Sequence, residues 1–357
     1  MRVVVVGATG NVGTSLVTAL LTEPSVEEVV GIARRRPSLR LPRLRWHPAD
    51  VASDELVTPF RGADAVVHLA WAIQPSHDER AMARTNLLGS GRVFDAVARA
   101  GVPALVYASS VGAYAPGPKE PRVDESWPVG GIASSFYSRH KATVERMLDR
   151  FERAHPEVRV VRMRPGLIFK EGQASEARRF FLGPFVPGIL LRPDVLPILP
   201  DVRGLRFQAV HTDDVADAYR RAVVGDARGA YNLVAEPVLD LPTIAASVGA
   251  RTVRLPASAV RAAVRATWWA HLQPTPVGWF EMGLREPLLA ADRAHRVLGW
   301  QPSRSALDAV CDLLTGIGHG RGERTPPLDP TTGGPLRLGE VASGVGAGDG
   351  AGTPPAA

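Results

Sequence analysis

Hydrophobic residues in the first half of the chain occur in short runs that alternate with helix-like segments. Four valines, Val3 to Val6, precede a glycine, and such a β-branched run is typical of a buried strand. The same pattern predicts further strands at 26–33, 44–47, 65–70, 104–108 and 158–163, and helices at 14–21, 80–100 and 138–155. Regular alternation of strand and helix favours an α/β fold with a parallel sheet covered on both faces.

The pattern is less regular beyond Gly166. Short strands at 206–210, 229–234 and 251–255 and helices at 213–224, 258–272 and 305–316 predict a smaller α/β part around a substrate crevice. From His319 to Ala357 glycine, proline and threonine dominate, which predicts a disordered tail. The 357 residues therefore divide into a domain at 1–165, a substrate-binding part at 166–318 and a tail at 319–357.

The connection between the first strand and the first helix is rich in glycine. It carries Gly7, Thr9, Gly10, Asn11, Val12 and Gly13. Glycine permits positive φ and lets a diphosphate approach the backbone N–H groups at the start of a helix. A loop that merely packs tightly is the structural alternative. Placed between a strand and a helix, the loop predicts a dinucleotide site, and the domain at 1–165 a Rossmann-type doubly wound sheet.

The end of the second strand bears on which dinucleotide is bound. An acidic residue there would accept hydrogen bonds from the adenosine ribose, but Ala33 is followed by Arg34, Arg35 and Arg36. A guanidinium can pair with a 2′-phosphate, so NADP is preferred over NAD. Asp50 and Val51, after the third strand, and Ala70, after the fourth, are further candidates for the cofactor site, with Asp50 facing the adenine amino group.

A tyrosine and a lysine four residues apart predict the reactive part of the site. On a helix, Tyr137 and Lys141 share one face, and an ammonium group would favour the phenolate form of the tyrosine. Ser110 ends the fifth strand, where a hydroxyl could hold a substrate oxygen against Tyr137, and Ser109 is the alternative hydroxyl. The three residues predict proton transfer to or from a small-molecule substrate.

Composition excludes several other classes of function. The net charge of +6 comes from dispersed arginines, since the chain has only Lys119, Lys141 and Lys170, so nucleic-acid binding is not expected. The single Cys311 excludes an internal disulfide, and no signal peptide is evident, which together predict a cytoplasmic protein. The apolar stretch 180–200 contains five prolines, which predicts an irregular pocket wall and no stable membrane insertion. No metal site is predicted.

Seven motifs in one order resemble a known family. They are GATGNVG at 7–13, NLLG at 86–89, YASSVGAY at 107–114, YSRHK at 137–141, RPGLIF at 164–169, HTDDVA at 211–216 and LGWQP at 298–302. Together they resemble the extended short-chain dehydrogenase/reductases, specifically the NAD-dependent epimerase/dehydratase family, over roughly residues 1–316.

The resemblance implies roles for individual residues. Ser110, Tyr137 and Lys141 would be the catalytic triad, with Tyr137 the general acid/base and Lys141 also holding the nicotinamide ribose. Asn86 would lie beside the active site, and Pro165 and His211 near the nicotinamide. It also allows a homodimer, formed through the helix of Tyr137 and the helix beginning at Arg80.

Departures from the family pattern narrow the chemistry. Val111-Gly112 stands where 4,6-dehydratases carry an Asp-Glu pair, and water elimination needs such an extra acid and base. Ala33 and the Arg164-Pro165-Gly166-Leu167 segment weaken a 4-epimerase assignment. We therefore expect an NAD(P)-dependent oxidoreductase that exchanges hydride with a carbonyl or secondary alcohol. A nucleotide-sugar 4-epimerase with tightly bound NAD is the first alternative, and a non-catalytic NADP-sensing regulator the second.

Overall fold

A computed structural model describes residues 1–73, 77–182, 192, 195 and 197–331. Its centre is a seven-stranded parallel sheet in the order β11-β6-β5-β4-β1-β2-β3. The strands are β1 (Arg2–Val6), β2 (Glu28–Ala33), β3 (Leu44–Pro48), β4 (Ala65–His68), β5 (Ala104–Ala108), β6 (Arg159–Pro165) and β11 (Gly229–Leu233). The predicted Rossmann-type doubly wound sheet is confirmed, because the chain order reverses at β1 as that fold requires.

Helices cover both faces of this sheet and also form part of the region beyond it. They are α1 (Asn11–Thr22), α2 (Val57–Phe60), α3 (Glu79–Ala83), α4 (Ser90–Ala100), α5 (Phe136–Ala154), α6 (Ala174–Ala177), α7 (Thr212–Val224), α8 (Leu241–Ser247), α9 (Ala257–Trp269), α10 (Val277–Arg285), α11 (Asp292–Leu298) and α12 (Ala306–His319). A π-helical turn (Arg84–Gly89) joins α3 to α4. The predicted helix at 80–100 is therefore three consecutive helical segments.

The valine run explains why β1 lies at the centre of the sheet. Val3 and Val5 belong to the apolar core on one face, whereas Val4 and Val6 belong to the core on the other. All four side chains are fully buried. Alternate residues of a strand point to opposite faces, so only a strand covered on both sides can bury every residue of such a run.

The segment predicted as the substrate-binding part is interwoven with the main sheet. Its strand β11 pairs with β6 and completes the sheet, and its helix α7 packs against α1. Three small two-stranded sheets complete the region: β7 (Leu167–Phe169) with β10 (Ala209–His211), β9 (Arg206–Phe207) with β12 (Leu239–Asp240), and β8 (Ile198–Asp201) with β13 (Arg251–Arg254).

Part of the predicted tail is packed against the rest of the protein. Residues 319–331 are described, and within them Leu328 is fully buried and Thr325 is 2% exposed. For these residues the structure differs from the predicted disorder. Burial accounts for this difference, because apolar surface removed from water offsets the conformational entropy that is lost on ordering. Residues 332–357 lie outside the described residues, as does most of the apolar stretch 183–196.

Candidate active site

The glycine loop forms one end of a cavity of about 300 Å³ at the carboxyl edge of the sheet. Gly7 has φ +90°, and a Cβ there would lie 2.6 Å from the Ala70 nitrogen. A Cβ on Gly13 would lie 2.3 Å from the Gly7 carbonyl oxygen. These two glycines are required by the protein's own packing.

Gly10 is different from its two neighbours in the loop. A Cβ on Gly10 would meet only the Gly7 oxygen, at an ordinary 3.6 Å. Its φ of −81° is open to any residue, and it lines the cavity at the start of α1. The bare backbone at this position therefore leaves room for a group inside the cavity, which fits the diphosphate of a dinucleotide.

The other residues predicted for the cofactor site divide into two groups. Thr9, Arg34, Asp50, Val51 and Ala70 line the same cavity as Gly7 and Gly10. Val51 is a buried core residue, and the Asp50 carboxylate accepts a hydrogen bond from the Ala52 nitrogen at 2.8 Å. Arg34 and Arg35 are exposed at the rim, and among the described residues neither forms an ion pair. Asn11, Val12 and Gly13 lie in the first turn of α1.

The side chains of Asn86 and His211 form hydrogen bonds to other residues of the protein. The Asn86 amide exchanges two hydrogen bonds with the Ala72 backbone, at 2.7 and 3.1 Å, and so fixes the chain that follows β4. His211 caps α7, accepting from the Asp213 nitrogen at 3.1 Å, and its other ring nitrogen contacts Arg304 at 2.7 Å. Neither His211 nor Pro165 is among the residues that line the cavity. The contacts of His211 are therefore those of a residue that caps a helix.

Ser110 and Tyr137 come together at the end of β5. The Ser110 side chain lies close enough to Tyr137 to lower the pKa of the phenol, and its hydroxyl accepts from the Gly112 nitrogen at 3.0 Å. The Ser138 hydroxyl accepts from the Ile132 nitrogen at 2.6 Å and donates to the Gly112 carbonyl, which ties the start of α5 to the turn after Ser110. Ser109, the alternative hydroxyl, donates to Glu145 at 2.6 Å instead.

Lys141 lies on the same helix face as Tyr137 and is 3% exposed. Its ammonium donates to the Ala108 carbonyl at 2.6 Å and lies 3.5 Å from the centre of the Trp71 ring. Burial lowers the pKa of Lys141 well below its usual value, and Glu145 opposes this. Trp71 lines the cavity, whereas Ser110, Tyr137 and Lys141 are not among its lining residues, so Trp71 lies between the cavity and these three residues.

The pKa of Tyr137 moves in the direction opposite to the one expected from its pairing with Lys141. Burial raises the pKa to about 12, the hydrogen bond from Ser110 lowers it, and the charge of Glu286 raises it. Desolvation disfavours the charged form of a phenol, and it outweighs the other contributions here. Tyr137 is therefore a neutral hydroxyl in this structure.

A buried charge network behind the triad was not predicted from the sequence. Glu145 accepts from Arg164 at 2.8 and 3.0 Å, from Arg162 at 2.9 Å and from Ser109. Arg164 also donates to the Tyr114 hydroxyl at 3.0 Å. Glu145 follows Lys141 by four residues, as Lys141 follows Tyr137. This repeated spacing could have indicated that Glu145 lies on the same face of the helix. Its arginine partners on β6 could not be identified from spacing alone.

Glu286 is a second buried carboxyl near Tyr137. It is 4% exposed, and its Oε2 has no hydrogen-bond partner among the described residues. Burial raises the pKa of Glu286 to about 7, although the charge of Lys119 lowers it. Arg285 does not pair with it, since Arg285 is exposed and lies 3.5 Å from Glu281.

The fold and the site together define an NAD-dependent enzyme of the oxidoreductase or epimerase type. The chain belongs to the NAD dependent epimerase/dehydratase family, whose model matches residues 3–233. The resemblance inferred from the seven motifs is thereby confirmed. Among the described residues, no helix is both long and apolar enough to cross a bilayer.

Relatives of this chain are distant in sequence. An uncharacterized protein of Mycobacterium tuberculosis is 24% identical over 341 residues, covering 92% of this chain and 86% of its own. The sterol-4-alpha-carboxylate 3-dehydrogenase, decarboxylating, of Saccharomyces cerevisiae is 26% identical over 211 residues. This match covers 58% of this chain and 54% of the yeast protein. The structure of the Thermus thermophilus UDP-glucose 4-epimerase in complex with NAD matches with a TM-score of 0.67 and 22% identity. The match covers 89% of this chain and 99% of the epimerase, which shows a shared fold.

Proposed function

We propose that the protein is an NADP-preferring oxidoreductase that exchanges hydride with a carbonyl or secondary alcohol, using Ser110, Tyr137 and Lys141. The observation that carries this is the grouping of the three side chains. Ser110 lies close enough to Tyr137 to lower its pKa, and the Lys141 ammonium, on the same face of α5, lies 5.8 Å from the centre of the Tyr137 ring. When bound, the nicotinamide supplies or accepts the hydride. Tyr137 donates the proton to the substrate oxygen in reduction and removes it in oxidation, while Ser110 holds that oxygen. The neutral Tyr137 hydroxyl is the form that reduction requires.

The surroundings of Tyr137 support an apolar substrate. Its ring centre lies 4.8 Å from that of Trp279 and 6.1 Å from that of Trp71, and it packs with Ile132 and Met282. An apolar environment around the proposed proton donor favours an apolar ketone or alcohol over the polar ring of a sugar. The yeast relative, named as a sterol dehydrogenase, is consistent with this class.

Dehydratase chemistry is disfavoured by the packing at Gly112. A Cβ at this position would lie 2.9 Å from Tyr137 Cε1 and 3.1 Å from Met282 Sδ. The glutamate that dehydratases carry here would displace the Tyr137 ring. The 4-epimerase alternative would use the same triad but retain its NAD, so dinucleotide that co-purifies in stoichiometric amount would favour it. A non-catalytic regulator would not need the triad.

The test of catalysis is Tyr137→Phe, assayed by nicotinamide absorbance on a panel of apolar ketones and secondary alcohols. Loss of the proton donor should lower kcat about 1,000-fold. Tyr107→Phe is the matched control, because the Tyr107 hydroxyl is buried and has no partner among the described residues. Full turnover by Tyr137→Phe would refute the assignment.

The test of coenzyme preference is Arg34→Ala. If Arg34 pairs with a 2′-phosphate, the Kd for NADPH should rise about 10-fold while the Kd for NADH stays unchanged. Arg36→Ala is the control, because Arg36 is exposed in the same run but does not line the cavity. Equal effects on both coenzymes, or none, would remove the basis for NADP.

A further inference from the structure

A short loop follows the last helix and closes on itself. After α12 the chain turns at Gly320, with φ +63°, and the Glu323 nitrogen donates to the Leu328 carbonyl at 3.0 Å. The Leu328 nitrogen in turn donates to the Thr325 carbonyl at 2.9 Å. We call residues 321–329 the C-terminal loop. Its internal hydrogen bonds and the fully buried Leu328 give it a defined shape.

The C-terminal loop is docked on the glycine loop itself. The Thr325 hydroxyl, which is 2% exposed, donates to the Thr9 carbonyl at 2.8 Å. On its other side, the Ser175 nitrogen donates to the Arg321 carbonyl at 3.1 Å and Arg179 donates to the Pro327 carbonyl at 3.0 Å. The loop is therefore held both by the dinucleotide-binding region and by the region around α6.

An ion pair between the buried Lys170 and the partly exposed Glu323 adds a second attachment. Lys170, 8% exposed in its side chain, lies 2.6 Å from Glu323 and also donates to the Thr14 hydroxyl at 2.7 Å. Thr14 belongs to the first turn of α1, directly after the glycine loop. Movement of the C-terminal loop would leave Lys170 without its carboxylate partner, which is unfavourable for a buried charge.

The same loop forms part of the cavity wall. Pro326 and Pro327 line the cavity together with Gly7, Gly10 and Arg34. The match to the family model ends at residue 233, so the C-terminal loop lies outside the matched residues. Two consecutive prolines make a stiff wall, because their φ angles are fixed.

We propose that the C-terminal loop is part of the dinucleotide site and retains the bound dinucleotide, so that release requires the Thr325–Thr9 and Glu323–Lys170 contacts to break. This inference rests on the proposed dinucleotide-binding function. It identifies Thr325, Pro326 and Pro327 as residues that position the cofactor, and it makes loop opening a step in coenzyme exchange.

The experiment measures NADPH release from the full-length protein by stopped-flow fluorescence, with excess NADP⁺ as the trap. Thr325→Val keeps the side-chain volume but removes the hydrogen bond to Thr9, and release should become about 5-fold faster. Glu323→Gln, tested separately, should accelerate release about 3-fold. The matched control is Thr331→Val, since the Thr331 hydroxyl donates to Asp329 at 2.7 Å and is outside the contacts with the glycine loop.

The outcomes separate this inference from the proposed function. If wild type binds neither NADPH nor NADH, the proposed function fails. If wild type binds NADPH but Thr325→Val and Glu323→Gln both release it at the wild-type rate, only the role of the C-terminal loop is refuted. Melting temperatures of all variants show whether any change in rate reflects general destabilisation.

A second measurement needs no substitution. Arg324 is exposed within the loop, so trypsin can cleave after it once the loop leaves the cavity. Saturating NADPH should slow cleavage at Arg324 at least 5-fold relative to the other tryptic sites, followed by mass spectrometry. Cleavage at an unchanged rate would contradict the proposal, because a bound dinucleotide would then not depend on the loop.

Discussion

The glycine loop and the proposed triad of Ser110, Tyr137 and Lys141 form the two ends of the candidate site in opposite ways. At the glycine loop the shape arises from missing side chains, since Gly7 and Gly13 bring backbone atoms to within contact of Ala70 and Ala8. At the triad, long side chains from α5 and β6 meet in a buried network of charges centred on Glu145. One end depends on steric fit, and the other depends on electrostatic compensation.

This difference indicates which kind of substitution should disrupt each end. A steric site tolerates no added atoms at the positions that the protein packs, but it is insensitive to pH. A charged site tolerates no lost partner, because a buried ion without its counter-ion costs several kcal/mol. Substitutions that change one property alone can therefore test the comparison at each end.

The largest effect is expected from Glu145→Gln. The substitution leaves Arg162 and Arg164 buried with fewer carboxylate partners, and we expect a loss of about 3–5 kcal/mol in the free energy of unfolding. Urea denaturation measures this. Glu152→Gln is the control on the same helix: Glu152 also pairs with Arg162, but it is 35% exposed and should cost less than about 1 kcal/mol.

The same carboxylate predicts an acid-dependent loss of stability. Burial raises the pKa of Glu145, but hydrogen bonds and charges from Arg164 and Arg162 bring it below its usual 4.5. Its contribution is therefore present above pH 4.5 and is lost as the pH falls through the lower folded-state value. Glu145→Gln should lack this part of the acid dependence. An identical pH profile in both proteins would contradict the network's role.

The next prediction distinguishes two glycines of the same loop by the effect of adding a Cβ to each. Gly13→Ala places a Cβ against the Gly7 oxygen and should lower the free energy of unfolding by about 3 kcal/mol. Gly10→Ala meets no close protein atom, so it should change stability by less than about 1 kcal/mol while weakening NADPH binding at least about 10-fold. If Gly10→Ala bound NADPH as wild type does, the cavity at the start of α1 would not hold the diphosphate.

The smallest effect concerns Glu286, whose Oε2 has no hydrogen-bond partner among the described residues. The rise of its pKa from 4.5 to about 7 corresponds to at most about 3 kcal/mol. Because the folded state holds this proton more tightly, the contribution of Glu286 to stability falls as the pH rises from about 4.5 through about 7. Glu286→Gln should therefore be about 2 kcal/mol more stable than wild type at pH 8 and nearly equal at pH 5.

Glu281→Gln is the control for this prediction, measured by thermal unfolding at both pH values. Glu281 lies on α10, which ends directly before Glu286, and it pairs with Arg261 and Arg285. Removing a paired carboxylate should bring no gain at pH 8. A destabilised Glu286→Gln at pH 8 would mean that the Glu286 carboxylate has a favourable partner.

Local sequence was sufficient for the glycine loop and for most of the sheet. The valine run predicted β1 because only a strand buried on both faces uses such a pattern. The strand predicted at 104–108 agrees with β5 in both bounds, and Tyr137 and Lys141 lie on one face of α5 as their spacing requires. These features depend on residues close together in the chain.

Features that depend on distant residues could not be predicted. The lowering of the Tyr137 pKa by Lys141 was expected, but burial by Trp71, Trp279 and their neighbours raises it instead. Residues 319–331 were assigned to a disordered tail, and Thr325 proved to bond to Thr9, far away in sequence. Composition describes what a segment contains, whereas its order depends on the surface it meets.

The sequence by itself determined the strand and helix order, the glycine loop and the family. Periodicity and backbone freedom are local properties, and they are encoded within a few residues. Only the tertiary structure decided which groups are buried together: Glu145 with its arginines, Glu286 with its Oε2 unpaired among the described residues, and the C-terminal loop against the cavity. Burial and charge compensation arise from the packing of distant segments. They determine which side chains of the site are protonated and how accessible the site is to a ligand.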